Sequence, residues 1–220
     1  MASTYAHTFD AKANFTSNSN PSTTGFTCGI GTAGDATLLC CGIVVGGTAV
    51  RTGGAPTYNG VALTQADSTR TGAETISELW YLLDPSTGSS YTLSIPNNGK
   101  TLYVTLASFC ANNPERYKSV FDSATGNTTT STNTIVTTTT TYNGSVLFQI
   151  MGNGNNAAPT ANNQILLYAV DRGNYSDDSQ YALQTDAGTI NFTWTVGNGS
   201  WTSSLGVWRV GTRKRYYHID

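Results

Sequence analysis

Short apolar segments separated by turn chemistry constrain this chain more than any other feature. No stretch of eleven or more residues carries apolar residues at the i, i+3, i+4, i+7 spacing of an amphipathic helix with caps. Strand patterns recur instead, at Ala36–Val45, Thr57–Gln65, Ile76–Leu83, Tyr91–Ile95, Leu102–Cys110, Asn133–Thr140, Ser145–Met151, Gln164–Val170, Gln180–Gln184, Thr189–Val196 and Leu205–Val210. Gly46-Gly47, Gly53-Gly54, Asn59-Gly60, Asp84-Pro85, Asn97-Asn98-Gly99, Asn143-Gly144 and Gly197-Asn198-Gly199 punctuate them, as residues that tolerate or require turn dihedrals should. Asn143-Gly144 is the strongest hairpin signal, because a tight two-residue turn needs positive φ at both positions. Many short strands at this spacing predict an all-β sandwich or barrel.

The strand in SELWYLLDPSTG, residues 77 to 88, adds a constraint. Side chains alternate across a strand, which sorts Ile76, Glu78, Trp80 and Leu82 onto one face and Ser77, Leu79, Tyr81 and Leu83 onto the other. Both faces are mostly apolar, so neither is left to water. The segment reads as a central strand with Trp80 in the scaffold and Glu78 reaching the rim. Phe192, Trp194 and Val196 alternate on one face in the same way, and Trp208 reads as core. Trp201, in the polar stretch SWTSS, is the tryptophan expected at the surface.

Composition bounds what such a scaffold can do. A chain of 220 residues suits one all-β domain and buries about 70% of its unfolded surface, so it folds without a metal or a disulfide. Charged residues make up 11% and the net charge is −2, which argues against a nucleic-acid partner, since that calls for a basic stripe. No apolar run reaches the ~18 residues of a spanning helix, so no membrane partner is expected. The N-terminal stretch MASTYAHTFDAKANFTS lacks a basic region followed by an apolar one, which points to a chain that is mature as written and made in a cytoplasm. Residues 1–35 read as an arm or a first strand, residues 36–210 as the sandwich, and residues 211–220 as a basic-aromatic tail. Arg213, Lys214, Arg215, Tyr216 and Tyr217 are that tail's candidate docking residues. The threonine tract at 128–141, TTTSTNTIVTTTTT, suits a strand with one wet face, because threonine is β-branched.

Signs of catalysis are sparse. The histidines are His7 and His218, near opposite ends of the chain, and there is no G-x-S-x-G, H-E-x-x-H or phosphate-loop motif. The glutamates are Glu74, Glu78 and Glu115, in no pattern that a paired-carboxylate hydrolase would use. Asp177-Asp178 could offer oxygen ligands to calcium but lacks the loop spacing, so a polar turn is the better reading. Neither a catalytic residue, a metal nor a cofactor is expected. Of the four cysteines, Cys40 and Cys41 are adjacent and point to opposite faces. Cys40, Cys41 and Cys110 read as small buried hydrophobes, while a bridge from Cys28 to Cys40 or Cys41 is open in an oxidising medium.

PTYNGVALT (56–64), ELWYLLDPSTGSSYTLSIP (78–96), LYVTLASF (102–109), GSVLFQIMGN (144–153) and NFTWTVGNGSWTSSLGVWRV (191–210) follow one another in a characteristic order. Over residues 36 to 210 this order resembles a family of β-sandwich domains found in phage and prophage structural gene clusters and in secreted bacterial proteins. The resemblance implies a jelly-roll-like sandwich of two antiparallel sheets and carries no catalytic motif to transfer. It favours a virion structural protein, a capsid decoration or tail-associated subunit whose partners are itself and other virion proteins. The alternative is an extracellular carbohydrate-binding or adhesive module, with Trp201, Tyr58 and Tyr175 as candidate contacts to a host-surface glycan.

Overall fold

The computed structural model describes residues 6–17, 23–30, 36–46, 51, 54–71, 75–129, 133–140, 142–153, 160–161, 164–171, 176–195 and 199–213. The described elements are all strands: β1 (His7–Ser17), β2 (Thr23–Ile30), β3 (Leu38–Gly46), β4 (Thr57–Tyr58), β5 (Val61–Ala62), β6 (Thr64–Thr71), β7 (Thr75–Leu83), β8 (Gly88–Pro96) and β9 (Thr101–Ala111). They continue with β10 (Tyr117–Thr129), β11 (Asn133–Thr140), β12 (Ser145–Asn153), β13 (Thr160–Ala161), β14 (Ile165–Asp171), β15 (Ser176–Gln184), β16 (Gly188–Thr195) and β17 (Trp201–Thr212).

These strands form four antiparallel sheets: sheet I in the order β2-β8-β4-β5, sheet II as β1-β9-β3-β7-β6, sheet III as β10-β17-β12-β15-β14 and sheet IV as β11-β16-β13. Three apolar layers stack them in that order. Cys28, Leu93 and Ile95 of sheet I meet Leu39, Ile43, Trp80 and Val104 of sheet II. The opposite face of sheet II packs Leu38, Val44, Leu79 and Phe109 against Val146, Phe148, Ile150 and Trp208 of sheet III. The far face of sheet III then packs Leu147, Leu205 and Val207 against Val136 and Phe192 of sheet IV. The all-β sandwich expected from the sequence is therefore present, with four layers where two were expected.

The extra layers explain why SELWYLL is apolar on both faces. β7 lies in sheet II, which is covered on each side, so Trp80 packs toward sheet I while Leu79 and Tyr81 pack toward sheet III. β3 is buried along its whole length for the same reason. Sheets II and III approach closely where glycines leave room. A Cβ on Gly42 would lie 2.7 Å from the Ile150 side chain, and one on Gly152 would lie 2.6 Å from Cγ1 of Val44.

Several sequence expectations need correction. Thr57–Gln65 is not one strand: Asn59 (φ 49°) and Gly60 (φ 77°) turn it into the hairpin of β4 and β5, and β6 starts at Thr64. Residues 1–35 contain two strands. β1 pairs with β9 from His7 opposite Ala111 to Ser17 opposite Leu102, which makes it an edge of sheet II. β10 runs through a polar segment that no strand pattern marked. β15 begins at Ser176, so Asp177 and Asp178 are strand residues and not a polar turn.

Candidate functional site

Most candidate contact residues lie inside the molecule or outside its described part. Trp201 has no exposed surface. It opens β17 and packs with Met151 and Trp194 between sheets III and IV. The serines and threonines around it are what make it read as a surface residue in the sequence. Those residues lie in a doubly covered strand, where Ser204 Oγ meets Ser77 Oγ of sheet II at 3.1 Å. Tyr58 is likewise fully buried and meets Tyr91 edge-on at 5.7 Å between ring centres. Neither ring is available to stack on a sugar. Tyr175, Lys214, Arg215, Tyr216 and Tyr217 lie outside the described residues. All four cysteines are free thiols, so the bridge from Cys28 is not formed. Cys41 shares the core between sheets I and II with Cys28, whereas Cys40 faces sheet III.

Glu78 does not reach the rim. It is buried and accepts from Arg51 Nη2 at 2.7 Å, from Arg51 Nε at 3.2 Å and from Trp80 Nε1 at 2.8 Å. Arg51 Nη1 also donates to Gly54 O at 2.9 Å and Pro96 O at 2.8 Å, and the guanidinium lies 5.6 Å from the Trp80 ring centre. A buried charge pair of this kind tolerates its desolvation only because the remaining donors are satisfied. The sequence held a clue to it: a carboxylate in a strand apolar on both faces demands a buried cation.

A second polar chain crosses from sheet II to sheet III at the end carrying the Asn112–Arg116 and Tyr142–Gly144 turns. His7 Nδ1 lies 2.9 Å from Gly144 O, and since a carbonyl can only accept, Nδ1 carries the proton. His7 Nε2 lies 2.9 Å from Ser119 Oγ, which lies 2.8 Å from Thr37 Oγ1. The Ala111 amide closes the chain on Thr37 Oγ1 at 2.9 Å. With the ring neutral, protons run in one direction: Ala111 N–H to Thr37, Thr37 to Ser119, Ser119 to Nε2. Burial lowers the His7 pKa from 6.5 to about 4, against a small upward push from the Gly144 carbonyl. The histidine–serine contact resembles half of a hydrolytic triad, but Nδ1 faces a carbonyl where a triad places a carboxylate. Ser119 is 1% exposed, and the chain works as a clamp between the two sheets. No spacing in sequence could have revealed it, because its members come from β1, β10 and the residue before β3.

Beside this clamp lies an open polar groove of about 460 Å³, lined in part by Thr37, Asp84, Glu115 and Arg213. Arg213 pairs with the Asp84 carboxylate through both terminal nitrogens and donates from Nε to Pro114 O at 2.8 Å. Asp84 holds a left-handed conformation (φ 47°), and its amide donates to Thr37 O at 3.0 Å. Arg213, the one tail candidate within the described residues, is thus fixed to the body of the fold. A second groove, of about 510 Å³, runs between β14, β15 and β16 and is lined by uncharged residues, Ile165, Leu183 and Ile190 among them. Ile165 is 51% exposed and Leu166 44%. Among the described residues, no cluster of three metal-ligating side chains occurs. No protein-family model matches the chain, and no curated protein is similar to it.

Proposed function

We propose that the chain is a non-enzymatic structural subunit of a phage virion, decorating a capsid or associated with a tail or fibre. It works by contact with copies of itself and with other virion proteins. The observation that carries this reading is one cluster of exposed apolar side chains. Ile165, Leu166 and Leu183 are all exposed around the edge of sheet III, beside an uncharged groove. Sheet IV next to it contains no charged residue in β11, β13 or β16. Exposed apolar surface rimmed by neutral polar residues suits protein contact. Each such contact is small, and repetition over a lattice makes weak contacts collectively strong. The buried polar networks hold sheets together, with Ser119 and Glu78 both buried, which supports a role without catalysis.

Of the candidate glycan contacts, Trp201 and Tyr58 are enclosed, which favours the assembly reading over a carbohydrate-binding one. Mass spectrometry of purified particles tests it. The expected result is this chain in many copies per particle, and particles without it would end the proposal.

A further inference from the structure

The layer between sheets III and IV contains amides whose orientations are forced. Gln149 Oε1 accepts from Trp194 Nε1 at 2.8 Å and from Gln180 Nε2 at 2.7 Å. An indole nitrogen only donates, so the Trp194 contact fixes which end of Gln149 is the oxygen. That in turn fixes Gln180, whose NH₂ must face the same oxygen. One donor and one acceptor are left over: Gln149 Nε2 and Gln180 Oε1 are fully buried and without a hydrogen-bond partner among the described residues. Two amides side by side could close a second bond in a ring. Here the indole takes a share of the Gln149 oxygen and the ring stays open. Ser203 Oγ, also buried without a partner among the described residues, sits one row away on β17. Met151, Trp194 and Trp201 form apolar walls.

We propose that this seam binds one ordered water molecule, which accepts from Gln149 Nε2 and donates to Gln180 Oε1, with Ser203 Oγ as its third partner. The mixture of orphans selects the ligand. A cation would face the Gln149 NH₂, and an anion would face the Gln180 carbonyl with the buried Asp178 carboxylate one row away, whereas water both donates and accepts. Buried waters typically make about three hydrogen bonds to groups that otherwise lack them. An orphaned buried donor and acceptor each carry a desolvation cost that such a bridge relieves.

The wild-type protein supplies the decisive measurement. A crystal structure at high resolution should show a peak about 2.7–3.2 Å from both Gln149 Nε2 and Gln180 Oε1. In solution, the Gln149 side-chain amide should give a cross-peak to a water that stays longer than the molecule tumbles. A dry seam, with the two amides bonded directly at both ends, would overturn the proposal. Gln180→Met keeps the shape and removes the acceptor. The water cross-peak from Gln149 should then be lost while the fold persists by circular dichroism. A cross-peak that survives in this variant would show that the water does not depend on Gln180, and would equally overturn the bridge.

Discussion

His7 keeps its place through two hydrogen bonds that both suit a neutral ring, and this ties its burial to pH. Its pKa falls from 6.5 to about 4 in the folded chain because burial disfavours the imidazolium. Between those values the unfolded chain binds the extra proton and the native one does not, so acid favours unfolding. The contribution is complete above about pH 6.5 and is lost as pH falls toward 4, by about 3 kcal/mol in total. Urea denaturation at intervals from pH 7 to pH 4.5 should show this slope. His7→Gln should cost stability at pH 7, because the relay through Ser119 loses its acceptor geometry, yet it should flatten the profile above pH 5. An unchanged slope in that variant would show that the acid sensitivity originates elsewhere.

At the level of strands, the glycines of β3 and β12 set how closely sheets II and III can approach. Gly152 faces Val44, and a methyl group added there would lie 2.6 Å from Val44 Cγ1. Gly152→Ala should therefore destabilise the fold by about 1–3 kcal/mol, the range for overpacking a filled core. In a Val44→Ala background the obstructing methyls are gone, so the same substitution should cost almost nothing beyond Val44→Ala alone. A double-mutant cycle measures the difference, and additive costs would sink the argument. Such contacts are silent in a sequence, whereas much of the strand pattern is legible. The span Asn133–Thr140 is read from sequence as it stands in the fold, and β3, β7 and β9 begin and end within two residues of expectation. The sequence leaves β1 open between an arm and a first strand, although Phe9, Ala11, Ala13 and Phe15 alternate there with polar residues, and β10, YKSVFDSATGNTT, escapes notice because both its faces mix polar and apolar residues. Both are edges of sheets II and III, and for β10 the pairing partner, not apolar alternation, decides the strand. Trp201 is buried against its sequence context for a different reason. Small hydroxyl residues read as a turn, but in a strand covered on both sides they fill tight space and bond across the layers.

For the molecule as a whole, stability is unequally divided among the layers. Among the described residues, fifteen buried ones form the apolar core between sheets I and II and thirteen that between II and III, while those between III and IV number nine, in two clusters of six and three. The III–IV layer also contains the buried amides and hydroxyls of Gln149, Gln180 and Ser203, which offset part of what its apolar area gains. Among the described residues sheet IV has three strands, one of two residues, so fewer ladder bonds are there to resist opening. Local opening follows such differences, with thinly packed units exchanging before the global core. Native-state hydrogen exchange should therefore show amides of β11 and β16 exchanging first, in a step that leaves β3, β9, β12 and β17 protected. Those four strands lie inside sheets II and III, and their slowest amides should exchange only with global unfolding. If β11 and β16 were as protected as β3, the four layers would be one cooperative block and the ranking by core size would be wrong. If they exchange early, sheet IV is the layer that a partner could order on binding, because only there would contact add protection that the isolated chain lacks.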